Sequence, residues 1–205
     1  MEPEPVPPPP PTLSVSYEQI HQMVVSEFTI EEGFVEYDTP TFYVKQQAEL
    51  KQAFMRLYTQ FNSKQLIPIL RKRGDRIMLQ VVSKPPVKPE NPLINIVLLI
   101  ATIGTTFYTG YFLLGETADS LTSAAMFTVA LMSILGAHEM GHKLTANRHG
   151  VEASYPYFIP GLPTFGAVIQ QKSLAPNRDA LFDLGCSGPI IGFLLAVVAS
   201  IIGLT

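Results

Sequence analysis

The stretch His138-Glu139-Met140-Gly141-His142 combines residue types and a spacing that can do chemistry. On a helix, residues four apart share a face, so His138 and His142 can direct their imidazoles at one cation, with Glu139 beside it. Two neutral imidazoles leave a zinc ion Lewis-acidic, and the ion lowers the pKa of a bound water toward neutrality. A carboxylate can then take the water's proton and pass it to a leaving amine. In a soluble protein such a short pattern also arises by chance, as two histidines on a helix surface. In this chain it closes a near-apolar segment, where ionisable groups are costly and a functional role is the default reading.

Catalytic zinc usually takes a third protein ligand. The metzincin pattern is disfavoured, because the places it reserves for Gly and His hold Thr145 and Arg148, and His149 falls one position late. Glu152, the only Glu after His142, lies in a Gly/Pro-bounded loop. His149 reads as a polar residue at the helix exit, where a basic side chain suits the C-terminal end.

The elements that must hold this pattern follow from composition. The chain has 205 residues, and only 15% are charged, against roughly 25% in an average soluble domain. The charge is also uneven: 21 of the 31 charged residues lie within the first 90 positions. A water-exposed N-terminal part and a lipid-facing C-terminal part are expected. A net charge of −3 offers no concentrated basic face for nucleic acid. The single cysteine, Cys186, excludes an intramolecular disulfide and a zinc ribbon, and reads as a small packing residue.

Residues 1–15 are a Pro-rich tail expected to be disordered, without the basic and apolar regions of a signal peptide. Residues 16–84 read as a small soluble α/β domain. Ser16 caps a helix running to Phe28, and Phe34–Tyr37 and Thr41–Val44 flank an Asp38-Thr39-Pro40 turn. A second helix spans about 48–61, and two further strands are joined by the basic turn Arg71–Asp75. That turn is read as an ordinary hairpin tip, with anionic lipid headgroups as the less favoured alternative. Residues 85–92 form a proline-stiffened linker.

Residues 93–205 read as the membrane domain, with apolar spans at about 93–114, 121–144 and 184–205. The first of these, at about 1.5 Å per residue, is long enough to cross a hydrocarbon core of roughly 30 Å. The fold class is therefore a polytopic α-helical membrane protein with three predicted transmembrane helices and a small N-terminal α/β domain. Lys84 and Lys88 precede the first span, only Glu116 and Asp119 lie between the first two, and Lys143, Arg148, Lys172 and Arg178 follow the second. This bias puts the N-terminal domain on the cytoplasmic side.

At this point the sequence resembles a family. The His138–His142 motif in a membrane span, then Lys143–Gly150, Pro156-Tyr157-Phe158-Ile159-Pro160, Phe165-Gly166-Ala167-Val168-Ile169 and Pro176-Asn177-Arg178-Asp179, resemble the site-2 protease family of intramembrane zinc metalloproteases. The likeness is to its archaeal, cyanobacterial and plastid branch, with a soluble N-terminal domain, and it covers roughly residues 91–205. It implies hydrolysis of a peptide bond in or near a transmembrane segment of a membrane-protein substrate. His138 and His142 would hold Zn2+, and Glu139 would activate water. Family members take a third ligand from an Asp in an Asn-Pro-Asp-Gly-like motif on a later helix. No such motif occurs before Thr205, so the resemblance implies the N-terminal part of a longer enzyme, with Asp179 and Asp183 as interfacial residues. An alternative of another class is a non-catalytic relative that grips or chaperones membrane helices.

The loop between the second and third spans has two open readings. Phe165, Gly166, Ala167, Val168 and Ile169 can form a strand that lines the site and pairs with an unwound substrate. They can equally belong to an interfacial loop with aromatic anchors. Gly188-Pro189-Ile190-Ile191-Gly192 predicts close helix packing and a kink near the site.

Overall fold

The computed structural model describes residues 15–86, 89–113 and 119–204, which fall into two compact units dividing at Val87/Lys88. The predicted Pro-rich tail and most of the first interhelical connection lie outside the described residues.

In the first unit, α1 (Tyr17–Val25) starts at Ser16, whose hydroxyl accepts from the Gln19 N–H at 3.4 Å. It ends three residues before the expected Phe28; Ser26 is its C-cap, still in the helical region at φ −63°, with its hydroxyl donating to the Met23 carbonyl. Strands β1 (Ile30–Glu36) and β2 (Thr39–Val44) form a hairpin whose two-residue turn is Tyr37-Asp38, at φ of 49° and 62°. Positive φ at both central positions matches the twist of the flanking strands. Thr39 and Pro40, expected in the turn, instead begin β2. Pro40 is tolerated because β2 pairs with its other neighbour only from Thr41 onward.

After α2 (Leu50–Asn62), β3 (Leu66–Arg73) and β4 (Arg76–Ser83) complete a four-stranded antiparallel sheet of order β1-β2-β4-β3. The turn is only Gly74-Asp75, with Gly74 at φ 64°, so Arg71–Arg73 belong to the strand. The amphipathic faces of α1 and α2 cover one side of the sheet. Ile20, Phe42, Leu57, Phe61, Leu79 and Val81 are sealed there.

The second unit has three helices long and apolar enough to cross a membrane: α3 (Pro92–Leu113), α4 (Ser120–Arg148) and α5 (Arg178–Gly203). Pro92 takes the first helical position, and the Asn91 carboxamide accepts from the Leu93 N–H at 3.1 Å. Large apolar side chains such as Ile100, Leu121, Val129, Phe193 and Ile201 stand exposed around these helices, as lipid contact requires. Helix α5 starts at Arg178, ahead of the apolar run from Leu184, because Asn177 caps it through the Ala180 N–H at 2.8 Å. Between α4 and α5, β5 (Tyr157–Pro160) and β6 (Thr164–Val168) form an antiparallel hairpin packed beside α3 and α4.

Candidate functional site

His138, Glu139 and His142 lie within α4, on the part that crosses α5. Three glycines make that crossing tight. A methyl group on Gly141 would sit 3.0 Å from the Ser187 carbonyl, one on Gly188 only 2.2 Å from His142 Nε2, and one on Gly192 3.1 Å from His138 Nδ1. The two imidazoles therefore occupy space that α5 leaves free by having no side chain there. This is the close packing that Gly188–Gly192 predicts.

The rings meet edge to face, with His138 Nε2 and His142 Nε2 3.2 Å apart. Two nitrogens bound to one tetrahedral zinc at about 2.0–2.1 Å would be separated by about 3.3 Å, so the donor pair fits such an ion. His142 Nδ1 lies 2.6 Å from the Leu184 carbonyl. A carbonyl can only accept, so Nδ1 carries the proton and Nε2 keeps its lone pair for a metal.

Glu139 is 5% exposed, and its Oε1 lies 4.0 Å from His138 Nε2. Ile169 of the loop lines the same cavity as this carboxylate. Glu139 and His142 share a cavity of about 350 Å³ with Ala167, Val168, Ile169, Leu181 and Leu184. Of the five residues read as a substrate strand, Phe165 to Val168 fall in β6 and Ile169 follows it. Ala167, Val168 and Ile169 line the cavity. Phe165 is 82% exposed and folds back over Gly161, and Gly166 pairs with Ile159 toward the hairpin turn.

His149 is the C-cap of α4, and its Nε2 lies 2.9 Å from Asp183 Oδ2, which ties the end of α4 to the first turns of α5. Among the described residues, no group of three His, Cys, Asp or Glu side chains comes together as a metal site.

Sequence reasoning missed the polar residues of α3 that hold the hairpin. Asn95 donates to the Tyr155 and Pro156 carbonyls at 3.3 and 3.0 Å. Thr105 and Thr106 donate to the Pro163 carbonyl at 3.0 and 3.3 Å. Their presence in an otherwise apolar span was the available signal, since such groups need partners at membrane depth.

Residues 126–205 match the sequence model of Peptidase family M50. The named chloroplastic probable zinc metalloprotease EGY2 of Arabidopsis thaliana is 37% identical over 73 residues, covering 35% of this chain and 13% of that protein. Its relative EGY1 from the same plant is 39% identical over 84 residues, covering 40% and 15%. EGY3 of Oryza sativa subsp. indica is 33% identical over 118 residues, covering 55% and 20%. The chain thus spans a fifth or less of the length of these relatives. No solved structure matches it. Residues 126–205, which carry His138, Glu139 and His142, are thus similar to Peptidase family M50, and the relatives matched over part of this chain are named zinc metalloproteases.

Proposed function

We propose that this chain carries the metal-binding half of an intramembrane zinc metalloprotease, which hydrolyses peptide bonds in or near transmembrane segments of membrane-protein substrates. The observation that carries the reading is the sharing of one cavity by Glu139, His142 and the Ala167–Ile169 strand, beside a histidine pair spaced for one ion. The relatives are named zinc metalloproteases, and zinc is the cofactor assigned to His138 and His142.

When bound, zinc supplies a Lewis acid that polarises the scissile carbonyl and lowers the pKa of the attacking water. The Leu184 carbonyl fixes the His142 tautomer so that Nε2 keeps the lone pair with which it would hold the ion. Glu139, shielded from solvent, holds the water, accepts its proton on attack and delivers it to the leaving amine nitrogen. A substrate helix hides its scissile amide and must unwind. The backbone of residues 165–169 is then available to pair with the extended segment. The charge bias around the spans places the N-terminal domain on the cytoplasmic side of the bilayer, with lipid and a membrane-protein segment as partners.

The test is Glu139→Gln in the complete protein in lipid nanodiscs, with zinc content and cleavage of a synthetic single-span peptide measured together. Zinc content should stay at the parent value while cleavage is lost by about 100-fold or more, the usual size of a general-base contribution. Undiminished cleavage would sink the mechanism. Bound zinc in a parent that does not cleave would favour the non-catalytic, helix-gripping relative.

A further inference from the structure

Helix α3 and the residue two positions before it hold the β5–β6 hairpin and its flanks at three heights. At the membrane-surface end, Glu90 Oε1 pairs with Lys172 Nζ at 2.6 Å, and Glu90 Oε2 accepts the Tyr155 N–H at 3.3 Å. One turn into the helix, the Asn95 carboxamide donates to the Tyr155 and Pro156 carbonyls. About 15 Å deeper, half of a hydrocarbon core, Thr105 and Thr106 both donate to the Pro163 carbonyl in the hairpin turn.

Apart from Lys172, every group gripped on the loop is a main-chain atom, so the grip fixes backbone position and not side-chain identity. The Pro163 carbonyl lies beside the middle of α3, where water cannot replace a lost partner. Asn95 Oδ1 is buried without a hydrogen-bond partner. That is a cost, and the bonds made by the other end of the same carboxamide are what it is set against.

The grip is connected to the chemistry by short steps. Tyr157, Phe158 and Ile159 pair with Val168, Ala167 and Gly166, and Ile169, which follows, lines one cavity with Glu139. The hairpin base is closed separately, by the Ser154 N–H to the Gln170 carbonyl at 2.9 Å and the Lys172 N–H to the Glu152 carbonyl at 2.7 Å. Without α3, the hairpin would be held at its base and where β6 packs on α4, and its turn would lose its anchor.

We propose that Glu90, Asn95, Thr105 and Thr106 are positioning residues that clamp the β5–β6 hairpin, holding the Ala167–Ile169 backbone at the site to receive an extended substrate segment. The substrate half of this statement rests on the reading under Proposed function. The clamp itself does not.

The whole 205-residue chain in lipid nanodiscs allows both halves to be read. Amide exchange over residues 157–168 reports the clamp. Photocapture from a benzoylphenylalanine at position 165 reports substrate positioning, with a synthetic single-span Leu/Ala peptide carrying a central Asn-Pro break as the probe. Thr105→Val with Thr106→Val, and Glu90→Lys alone, should each speed hairpin exchange by about fivefold to tenfold, as expected for the loss of one or two bonds. Exchange around Thr128 in α4 should not change. Capture should fall about threefold or more in both variants, in line with losing roughly one hydrogen bond's worth of positioning.

Thr105→Ser with Thr106→Ser, which keeps both hydroxyls, and Glu90→Lys with Lys172→Glu, which restores the pair in reverse, should return both readouts to the parent values. Unchanged hairpin exchange in the Val pair and in Glu90→Lys would overturn the clamp. A loosened hairpin that captures the peptide undiminished would overturn the positioning role. Should the Val pair fail to insert, the charge-reversal series decides by itself, since failure of the double reversal to restore exchange refutes the pairing. A parent that captures no peptide sinks the substrate reading, while the exchange results still decide the clamp. Capture requires neither metal nor Glu139, so loss of the protease mechanism would leave this test intact.

Discussion

Gly188→Ala tests the histidine pair at its tightest point. The added methyl would lie 2.2 Å from His142 Nε2, 2.5 Å from Cδ2 and 2.6 Å from Cε1, where ordinary contact begins at 3.4 Å. The ring or α5 must therefore yield by about 1 Å, and the added methyl is fixed to the backbone, so it cannot swing away. If the ring moves, it leaves the Leu184 carbonyl that fixes its tautomer. If α5 moves, that carbonyl leaves the ring. Either way the 3.2 Å spacing of the two Nε2 atoms is lost. Removing an outer partner of a zinc ligand costs about 10–100-fold in affinity, and displacing the ligand itself should cost at least as much. The assay is competition for zinc against a chromophoric chelator in nanodiscs, with helix content followed by circular dichroism. Gly203→Ala on the same helix is the control, since nothing lies within 4 Å of its added methyl. A folded Gly188→Ala protein that binds zinc like the parent would refute the assignment of His142 as a ligand in this geometry.

His149→Ala should leave zinc content unchanged, because His149 is engaged with Asp183 at the helix exit; for so exposed a pair the stability loss should stay below about 1 kcal/mol. Leu57→Ala, at a fully buried position under the four-stranded sheet, should cost about 2–5 kcal/mol; protection of β2 and β4 against exchange should drop while α4 and α5 keep theirs. The hairpin clamp should also be acid-labile. Burial alone pushes the Glu90 carboxyl up, but the Lys172 ammonium, the Tyr155 N–H and the more distant Lys143 together hold it below its ordinary value of 4.5. A carboxyl lowered in the folded state contributes stability above its unfolded pKa and loses it as pH falls through the folded one. Hairpin protection, corrected for intrinsic exchange, should therefore be flat from neutral pH to about 5 and decline below about 4.5. Glu90→Gln should flatten that profile, and a profile unaltered by the substitution would show that Glu90 is not the group responsible.

The parts of this molecule legible in the sequence are those that local spacing dictates. His138 and His142 share a face because four residues make about one helical turn. The spans were visible because a helix facing lipid must be apolar all round. Ser16 announced the start of α1, and the alternation in Thr41–Val44 and Ile77–Val82 announced strands. Boundaries slipped at the helix ends: α1 stops at Val25 instead of Phe28, and Asn177 caps α5 before its apolar run. Only the tertiary structure decided how the site is supported. The Leu184 carbonyl meets His142 across 42 positions and Thr105 meets Pro163 across 58, and no local periodicity encodes such pairings. Whether Phe165–Ile169 lined the site or floated at the interface was open for the same reason, and packing brought only its Ala167–Ile169 end to Glu139. The sequence by itself determined which atoms are available for chemistry, because that depends on residue type and helical pitch. Their distances and tautomers depend on which backbone crosses which, and that was settled by three glycines where α4 and α5 meet.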